Sequence, residues 1–164
     1  MFDTRPVIVT GASRGVGLEL TRQLMASGQN VIGIARHCPS LPRSEGFEFI
    51  DCDLSDIAAV ADLTERLRHL RPRGLINNAA IQTEADWMEM QPQDRARRFE
   101  REINLCLVAP MILSYGLIDE IASAQNGFVC NINSGLALAP KITAPAYCAA
   151  KAAHSSESHA KNPS

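Results

Sequence analysis

Short, continuous apolar runs alternate along the chain with segments whose apolar residues recur at helical spacing. The apolar runs predict five strands, at Val7–Thr10, Asn30–Ala35, Phe47–Asp51, Gly74–Asn78 and Gly127–Asn133. The periodic segments predict helices near Val16–Ala26 and Ile57–Leu70, and a long helix from about Arg97 to Ala124 that a shorter one, Pro92–Arg97, precedes. Continuous apolar runs are typical of strands covered on both faces, and strand–helix alternation requires a parallel sheet. We therefore expect an α/β fold with a doubly wound parallel sheet.

A length of 164 residues indicates about one domain. The domain should be globular rather than disordered, since 46% of the residues are hydrophobic and 21% are charged. A net charge of −2 argues against nucleic acid or an anionic membrane as the main partner. Met1–Arg5 contains no apolar signal-peptide region, and the longest apolar candidate, Leu105–Leu113, is too short to cross a bilayer and contains Pro110. We expect a cytoplasmic location.

The cysteines and histidines show no metal-ligand pattern. The five cysteines form no C-x-x-C pair, and we expect them to be small apolar filler in a reducing compartment. We expect the four histidines to lie on the surface; they are His37, His69, His154 and His159.

A glycine-rich turn joins the first predicted strand to the first predicted helix, in the stretch Thr10–Gly17. Gly11 permits a tight turn, Gly15 lets the backbone approach an anion, and Gly17 lets the helix pack close to the sheet. The amides at the helix start can then face a phosphate, favoured by the helix dipole. The turn therefore predicts a dinucleotide site, with a purely structural turn as the alternative. Its candidate cofactor-binding residues are Gly11, Ser13, Arg14, Gly15, Val16 and Gly17.

Arg36 follows the second predicted strand, where a doubly wound fold places the adenosine ribose. A carboxylate there would bind the free 2′-hydroxyl, whereas an arginine favours a 2′-phosphate through charge-assisted hydrogen bonds. Arg14 can reach the same phosphate. The two arginines favour NADP(H), with NAD(H) possible; the alternative is that both are solvated surface charges.

Polar and small residues follow the third and fourth predicted strands. Asp53, beside Leu54, can accept a hydrogen bond from the adenine amino group; the alternative is a helix N-cap, a role that Ser55 or Asp56 fits better. After the fourth strand, Asn78 and Ala79 belong to the run Asn77-Asn78-Ala79-Ala80. Its small residues let a cofactor pass over the strand end, and its amides can tie neighbouring strands together.

Four further residues carry candidate chemistry. Tyr147 and Lys151 are four residues apart, which places a phenol and an ammonium on one helix face. A free phenol ionises only near pH ~10, and a nearby cation stabilises the phenolate, so the pair is a plausible general acid and base. Ser134 ends the fifth strand and could hydrogen-bond a carbonyl oxygen. Asn104 lies inside the long helix, where its amide can bond the backbone and hold a water.

Together these motifs resemble the short-chain dehydrogenase/reductase family in its NADP(H)-preferring form. The chain has the family's G-x-x-x-G-x-G turn, an N-N-A-G motif with Ala80 in place of glycine, and S-x12-Y-x-x-x-K. Because alanine disfavours positive φ, Ala80 puts the local backbone angle in question. The matches extend from about Pro6 to Ala153. The resemblance implies a Rossmann-like sheet in the order 3-2-1-4-5.

The resemblance also implies hydride transfer between NADP(H) and a small-molecule carbonyl or alcohol. Ser134 would polarise the carbonyl oxygen and Tyr147 would protonate it. Lys151 would favour the phenolate and, with Tyr147, contact the cofactor by binding the nicotinamide ribose hydroxyls. Asn104 would position water for a proton relay. Trp87, Met90 and the loop Ala137–Ala144 are candidates to line the cleft, although packing is the better role for Trp87.

The chain departs from the family after Ala153. We expect a dinucleotide-binding domain over residues 1–153, followed by a polar, disordered tail over residues 154–164, with the family's last helices and strands lacking. The helix with Tyr147 would then have barely two turns, and the helix that usually forms the family's homo-oligomer interface would be cut short. Two hypotheses stay open: an active NADP(H)-dependent oxidoreductase, and a truncated, non-catalytic fragment that retains at most nucleotide binding.

Overall fold

A parallel sheet forms the centre of the molecule in the computed structural model, which describes residues 4–39, 41 and 46–157. The strands within these residues are β1 (Val7–Thr10), β2 (Val31–Ala35), β3 (Phe47–Asp51), β4 (Gly74–Asn77) and β5 (Phe128–Asn131). They pair in parallel in the order β3-β2-β1-β4-β5. The expected doubly wound, Rossmann-like sheet and its strand order are confirmed.

Helices lie between the strands and after them. They are α1 (Gly15–Ala26), α2 (Ile57–His69), α3 (Pro92–Ile103), α4 (Ala109–Gly116), α5 (Ile118–Ala122) and α6 (Pro145–Glu157). A π-helical turn, Asn104–Val108, joins α3 to α4, and a 3₁₀ turn, Gly135–Ala137, precedes α6. Asp56 caps α2 by accepting hydrogen bonds from the amides of Ala58 and Ala59, so Asp53 is not the cap.

Both faces of the sheet are covered, as the continuous apolar runs predict. Ile8, in β1, belongs to a core that includes residues of α2 and α4. Its neighbours Val7 and Val9 point to the other face, where Leu20 and Leu24 of α1 pack. This alternation follows from the two-residue period of a strand, and it leaves the carboxyl ends of the strands as the open edge above the core.

The single long helix expected from Arg97 to Ala124 is wrong, because the segment is interrupted twice. Pro110 has no N–H to bond the carbonyl four residues earlier, and the chain widens there: the Ala109 amide bonds the Asn104 carbonyl, five residues back. The second break falls at Leu117, whose φ of −110° and ψ of 3° leave the helical region. Gly116 brings α4 against Thr64 of α2, since a Cβ at Gly116 would overlap the Thr64 side chain.

Helix α6 is longer than the sequence suggested. It runs over 13 residues to Glu157, so the expectation of barely two turns is wrong. The expectation of a disordered tail from residue 154 is wrong for residues 154–157, which belong to this helix. His154 is only 2% exposed, so the surface position expected for it is also wrong; the tertiary fold covers this turn of α6, which the local sequence does not reveal. Residues 158–164, with His159, lie outside the described residues, as do residues 40 and 42–45 of the loop His37–Gly46.

The cysteines are not uniformly buried. Cys106 and Cys148 fit the expected role of apolar filler, but Cys38 and Cys130 are exposed. Among the helices that the structure describes, none combines the length and the apolar character that a bilayer span requires.

Candidate functional site

A cleft of about 640 Å³ opens above the carboxyl ends of the strands. Four neighbouring strands deliver residues to it, because each of β1, β2, β3 and β4 ends at this edge. Nine of the candidate cofactor residues line the cleft: Gly11, Ser13, Arg14, Gly15, Arg36, Asp53, Leu54, Asn78 and Ala79. The glycine backbone of the turn and the charged side chains of Arg36, Asp53 and Arg101 line the same cleft.

The glycine turn has the backbone geometry that an anion cradle requires. Gly11 and Gly15 adopt φ values of +69° and +57°, in the left-handed region that disfavours side chains. A Cβ at Gly15 would meet nothing within 4 Å, so the space over this backbone is open to a ligand. Arg14 is the N-cap of α1 and makes no side-chain hydrogen bond to the first-turn amides. The cap side chain therefore leaves these amides available to an anion.

Gly17 and Val16 belong to the same turn but do not line the cleft. A Cβ at Gly17 would overlap the Gly11 carbonyl oxygen and the Asn78 amide nitrogen, so glycine permits the close approach of α1 to the strand ends. Val16 is exposed beside the turn.

Thr10 fastens the end of β1 to the end of β4, a role that the sequence reasoning missed. Its hydroxyl donates to the Ile76 carbonyl at 3.3 Å and accepts from the amides of Asn78 and Ala79, each at 3.0 Å. The Asn78 side chain returns a hydrogen bond to the Thr10 carbonyl at 2.9 Å. The position of Thr10 at the very end of β1 was the available signal.

Asn77 and Ala80 flank Asn78 and Ala79, which line the cleft after β4. Asn77 donates to Asn131 of β5 at 2.8 Å, so the amide ties two strands as expected. Ala80 causes no strain, because the non-glycine residues with positive φ in the described part of the chain are Arg71 and Asn126.

Asp53 lies near Arg101 and Arg36 in the cleft and is held ionised. Its Oδ1 accepts hydrogen bonds from the Ser55 amide at 3.0 Å and the Ser55 hydroxyl at 2.7 Å. Burial raises the pKa of Asp53, but the Ser55 hydrogen bonds and the charges of Arg101 and Arg36 outweigh it, so the pKa is lowered. Arg101, of α3, lines the cleft and was not among the candidates, because the sequence offers several arginines in this helix and no reason to select one.

Lys151 lies at the base of the candidate catalytic group. It is only 2% exposed, and its Nζ donates to the Ile132 carbonyl at 2.6 Å. The same nitrogen lies 5.7 Å from the centre of the Tyr147 ring. Burial lowers the pKa of Lys151, opposed by the nearby Cys106. Lys151 and the Tyr147 ring therefore lie side by side on α6, and the role of the pair stays a prediction.

Ser134 and Asn104 lie on segments that pack against α6. The Ser134 hydroxyl accepts from the Leu136 amide at 3.2 Å, within the 3₁₀ turn that contacts α6. Asn104 begins the π turn, which contacts α6 as well, and its side chain donates to the Ser55 carbonyl at 3.3 Å. Asn104, Ser134, Tyr147 and Lys151 do not line the cleft itself. Asn104 is next to the cleft along the chain, because Leu105, which follows it, lines the cleft.

A buried acid lies beneath this group. Glu102 accepts from the Thr83 amide at 2.7 Å. Burial raises its pKa, although the Thr83 and Tyr147 backbone amides act in the opposite sense. His154 lies one helical turn beyond Lys151, and both burial and the Lys151 charge lower its pKa.

Trp87 joins two loops beside α6 rather than lining the cleft. Its Nε1 donates to the Thr143 carbonyl at 2.7 Å, and its ring centre lies 4.8 Å from that of Phe99. Lys141 and Glu84 add an ion pair of 2.7 Å between the same loops. This favours the packing role for Trp87 and fixes the loop Ala137–Ala144 against the chain that follows β4.

Comparison with known proteins gives one consistent result. The family model described as short chain dehydrogenase matches residues 5–160. The uncharacterized oxidoreductase DltE of Bacillus subtilis is 32% identical over 153 residues, covering 90% of this chain and 60% of its own length. A short-chain dehydrogenase/reductase from Burkholderia vietnamiensis superposes with a TM-score of 0.85 at 28% identity, covering 98% of this chain and 78% of that one.

A third similar protein was solved with a bound cofactor. A 4-hydroxyisoleucine dehydrogenase complexed with NADH superposes with a TM-score of 0.78 at 26% identity, covering 91% of this chain and 64% of that one. The chain spans about 60% of the length of the curated relative DltE.

Proposed function

We propose, since the chain belongs to the short-chain dehydrogenase/reductase family, that it transfers hydride between NADP(H) and a carbonyl or alcohol substrate. The observation that carries this proposal is the buried Lys151, held by the Ile132 carbonyl beside the Tyr147 ring. Burying the charge of a lysine costs free energy, so a buried lysine indicates a functional role. Stabilising the phenolate of a tyrosine that exchanges a proton is such a role.

The cleft fits a dinucleotide. The open space over Gly15 would take the pyrophosphate, held by the first-turn amides of α1. Asp53 would accept from the adenine amino group, and Leu54, Asn78 and Ala79 would line the path of the cofactor. Binding of NAD(P) is a property of the family; the preference for the phosphorylated form is our proposal.

Arg14 and Arg36 support NADP(H) as the preferred cofactor, with NAD(H) possible. Both line the cleft, and no carboxylate follows β2, where one would bind an unmodified ribose. A guanidinium pair binds a phosphate dianion through charge-assisted hydrogen bonds.

The chain's own residues would handle the proton and the carbonyl oxygen. NADP(H), when bound, supplies or accepts the hydride. The Ser134 hydroxyl would donate a hydrogen bond to the substrate oxygen. Tyr147 would give that oxygen its proton in a reduction, or remove the proton in the oxidation of an alcohol. Lys151 would stabilise the phenolate between these steps, and Asn104 would hold water on the route to solvent.

The test is binding followed by turnover. NADPH is titrated by its fluorescence, and a panel of ketones and aldehydes is then assayed for NADPH consumption. Tyr147→Phe removes the proton donor and should lower kcat by at least about 100-fold while NADPH still binds. Tyr115→Phe is the matched control, because Tyr115 is 69% exposed on α4 and should leave the rate unchanged.

Each outcome distinguishes the two hypotheses. Turnover that Tyr147→Phe abolishes and Tyr115→Phe preserves supports the oxidoreductase. Binding of NADPH without turnover of any carbonyl compound would leave a non-catalytic nucleotide-binding protein. Failure to bind NADPH or NADH would refute the cofactor site.

A further inference from the structure

Arg101 is a cation of the cleft that lies outside the recognised motifs. Its guanidinium Nη2 lies 3.8 Å from Asp53 Oδ2, and its side chain is 47% exposed. Leu105, one helical turn later, lines the same cleft. The end of α3 and the π turn therefore present a planar cation and an apolar side chain to the cleft.

The hydrogen bonds of Asp53 show which of its oxygens is left for a ligand. Oδ1 is occupied by the amide and the hydroxyl of Ser55. Oδ2 has the ion pair with Arg101, whose 3.8 Å is longer than a hydrogen bond. This oxygen can therefore accept from an amino group that enters beside the guanidinium.

The surroundings of Arg101 suit a flat, aromatic amine better than a phosphate. A phosphate bound by Arg101 would lie against the Asp53 carboxylate, which repels it. Leu54, which is buried, and Leu105 supply apolar surface to the cleft. A guanidinium is planar and weakly hydrated, so it stacks on aromatic rings.

We infer that Arg101 binds the adenine base of the cofactor, with its guanidinium against the ring while Asp53 Oδ2 accepts from the amino group. Arg101 then strengthens the binding of every adenine nucleotide, whether or not the ribose carries a 2′-phosphate. Arg36 has the complementary role, since it acts at the ribose and selects for the phosphate. This inference rests on the proposed cofactor site.

The test uses two small probes that need no turnover, 5′-AMP and adenosine 2′,5′-bisphosphate, titrated by calorimetry. Arg101→Ala should weaken both by about 3- to 30-fold, the range of a guanidinium stacked on an aromatic ring, and leave the ratio of the two Kd values unchanged. Arg36→Ala should change that ratio and leave 5′-AMP binding intact. Arg97→Ala is the matched control, because Arg97 lies on the same helix, is 75% exposed and pairs with Asp94.

Arg101→Lys separates stacking from charge, since it keeps the cation and loses the planar group. It should weaken both probes; undiminished binding by this variant would overturn the stacking role. Loss of affinity in Arg101→Ala for the bisphosphate alone would make Arg101 a phosphate ligand and also overturn it, as would two unchanged Kd values. If the unmodified protein binds neither probe, the proposed cofactor site fails, a result distinct from a wild-type Kd that Arg101→Ala does not change.

Discussion

Gly17→Ala tests whether the close approach of α1 to the strand ends holds this domain together. The added Cβ would lie 2.9 Å from the Gly11 carbonyl carbon and closer still to its oxygen and to Asn78 Nδ2. The Asn78 nitrogen is the donor that bonds the Thr10 carbonyl. Either α1 moves away from the sheet or this hydrogen bond breaks.

The expected cost is roughly 2 kcal/mol of unfolding free energy. Overpacking against backbone costs about 1–3 kcal/mol, and a lost hydrogen bond adds about 0.5–1.5 kcal/mol. The better helix propensity of alanine offsets up to about 1 kcal/mol of this. With a urea m-value of about 2 kcal/mol/M, the midpoint should fall by about 1 M.

Urea denaturation followed by the fluorescence of Trp87, the single tryptophan, measures this shift. Val16→Ala is the control, because Val16 is an exposed neighbour in the same helical turn and its truncation should change stability by no more than about 0.5 kcal/mol. A Gly17→Ala midpoint equal to that of the Val16→Ala variant would refute the close-packing argument.

Three further variants test other contacts. The pKa of His154 is lowered in the folded state, so the unfolded chain binds the proton more readily; this part of the stability is present above about pH 6.5 and is lost as pH falls. His154→Leu should therefore flatten the decline of the urea midpoint between about pH 7.5 and pH 5, and an unchanged slope would contradict this. Thr10→Val leaves the Asn78 and Ala79 amides without their acceptor and should lower the unfolding free energy by about 1–3 kcal/mol in the same assay. An unchanged midpoint would contradict this role of the hydroxyl. Asp56→Ala removes the cap of α2 and should lower the unfolding free energy by about 1 kcal/mol, whereas no change would mean that the cap contributes nothing.

The sheet could be predicted from the sequence because its strands are buried on both faces and read as unbroken apolar runs. The bounds of β1 and β3 match the prediction, and the remaining strands differ only at their ends. The glycine turn could also be predicted, since the positive φ values of Gly11 and Gly15 strongly favour glycine.

The parts that escaped prediction depend on contacts between distant segments. His154 is followed by polar residues, yet it lies on a covered turn of α6. Arg101 is selected from the arginines of α3 only by its position next to Asp53, a residue 48 positions earlier in the chain. Neither fact is encoded in a local pattern, because each requires the positions of two elements in space.

The π turn at Asn104–Val108 sets the rotational phase of the chain that follows it. A π hydrogen bond closes one residue later than an α bond, so this turn absorbs an extra residue and still leaves Leu113 and Leu117 fully buried. Deleting one residue inside the turn should therefore restore α-helical bonding and keep both leucines in place. A deletion within α4 just before Leu113 should instead rotate the leucines by about 100° around the helix axis and expose them.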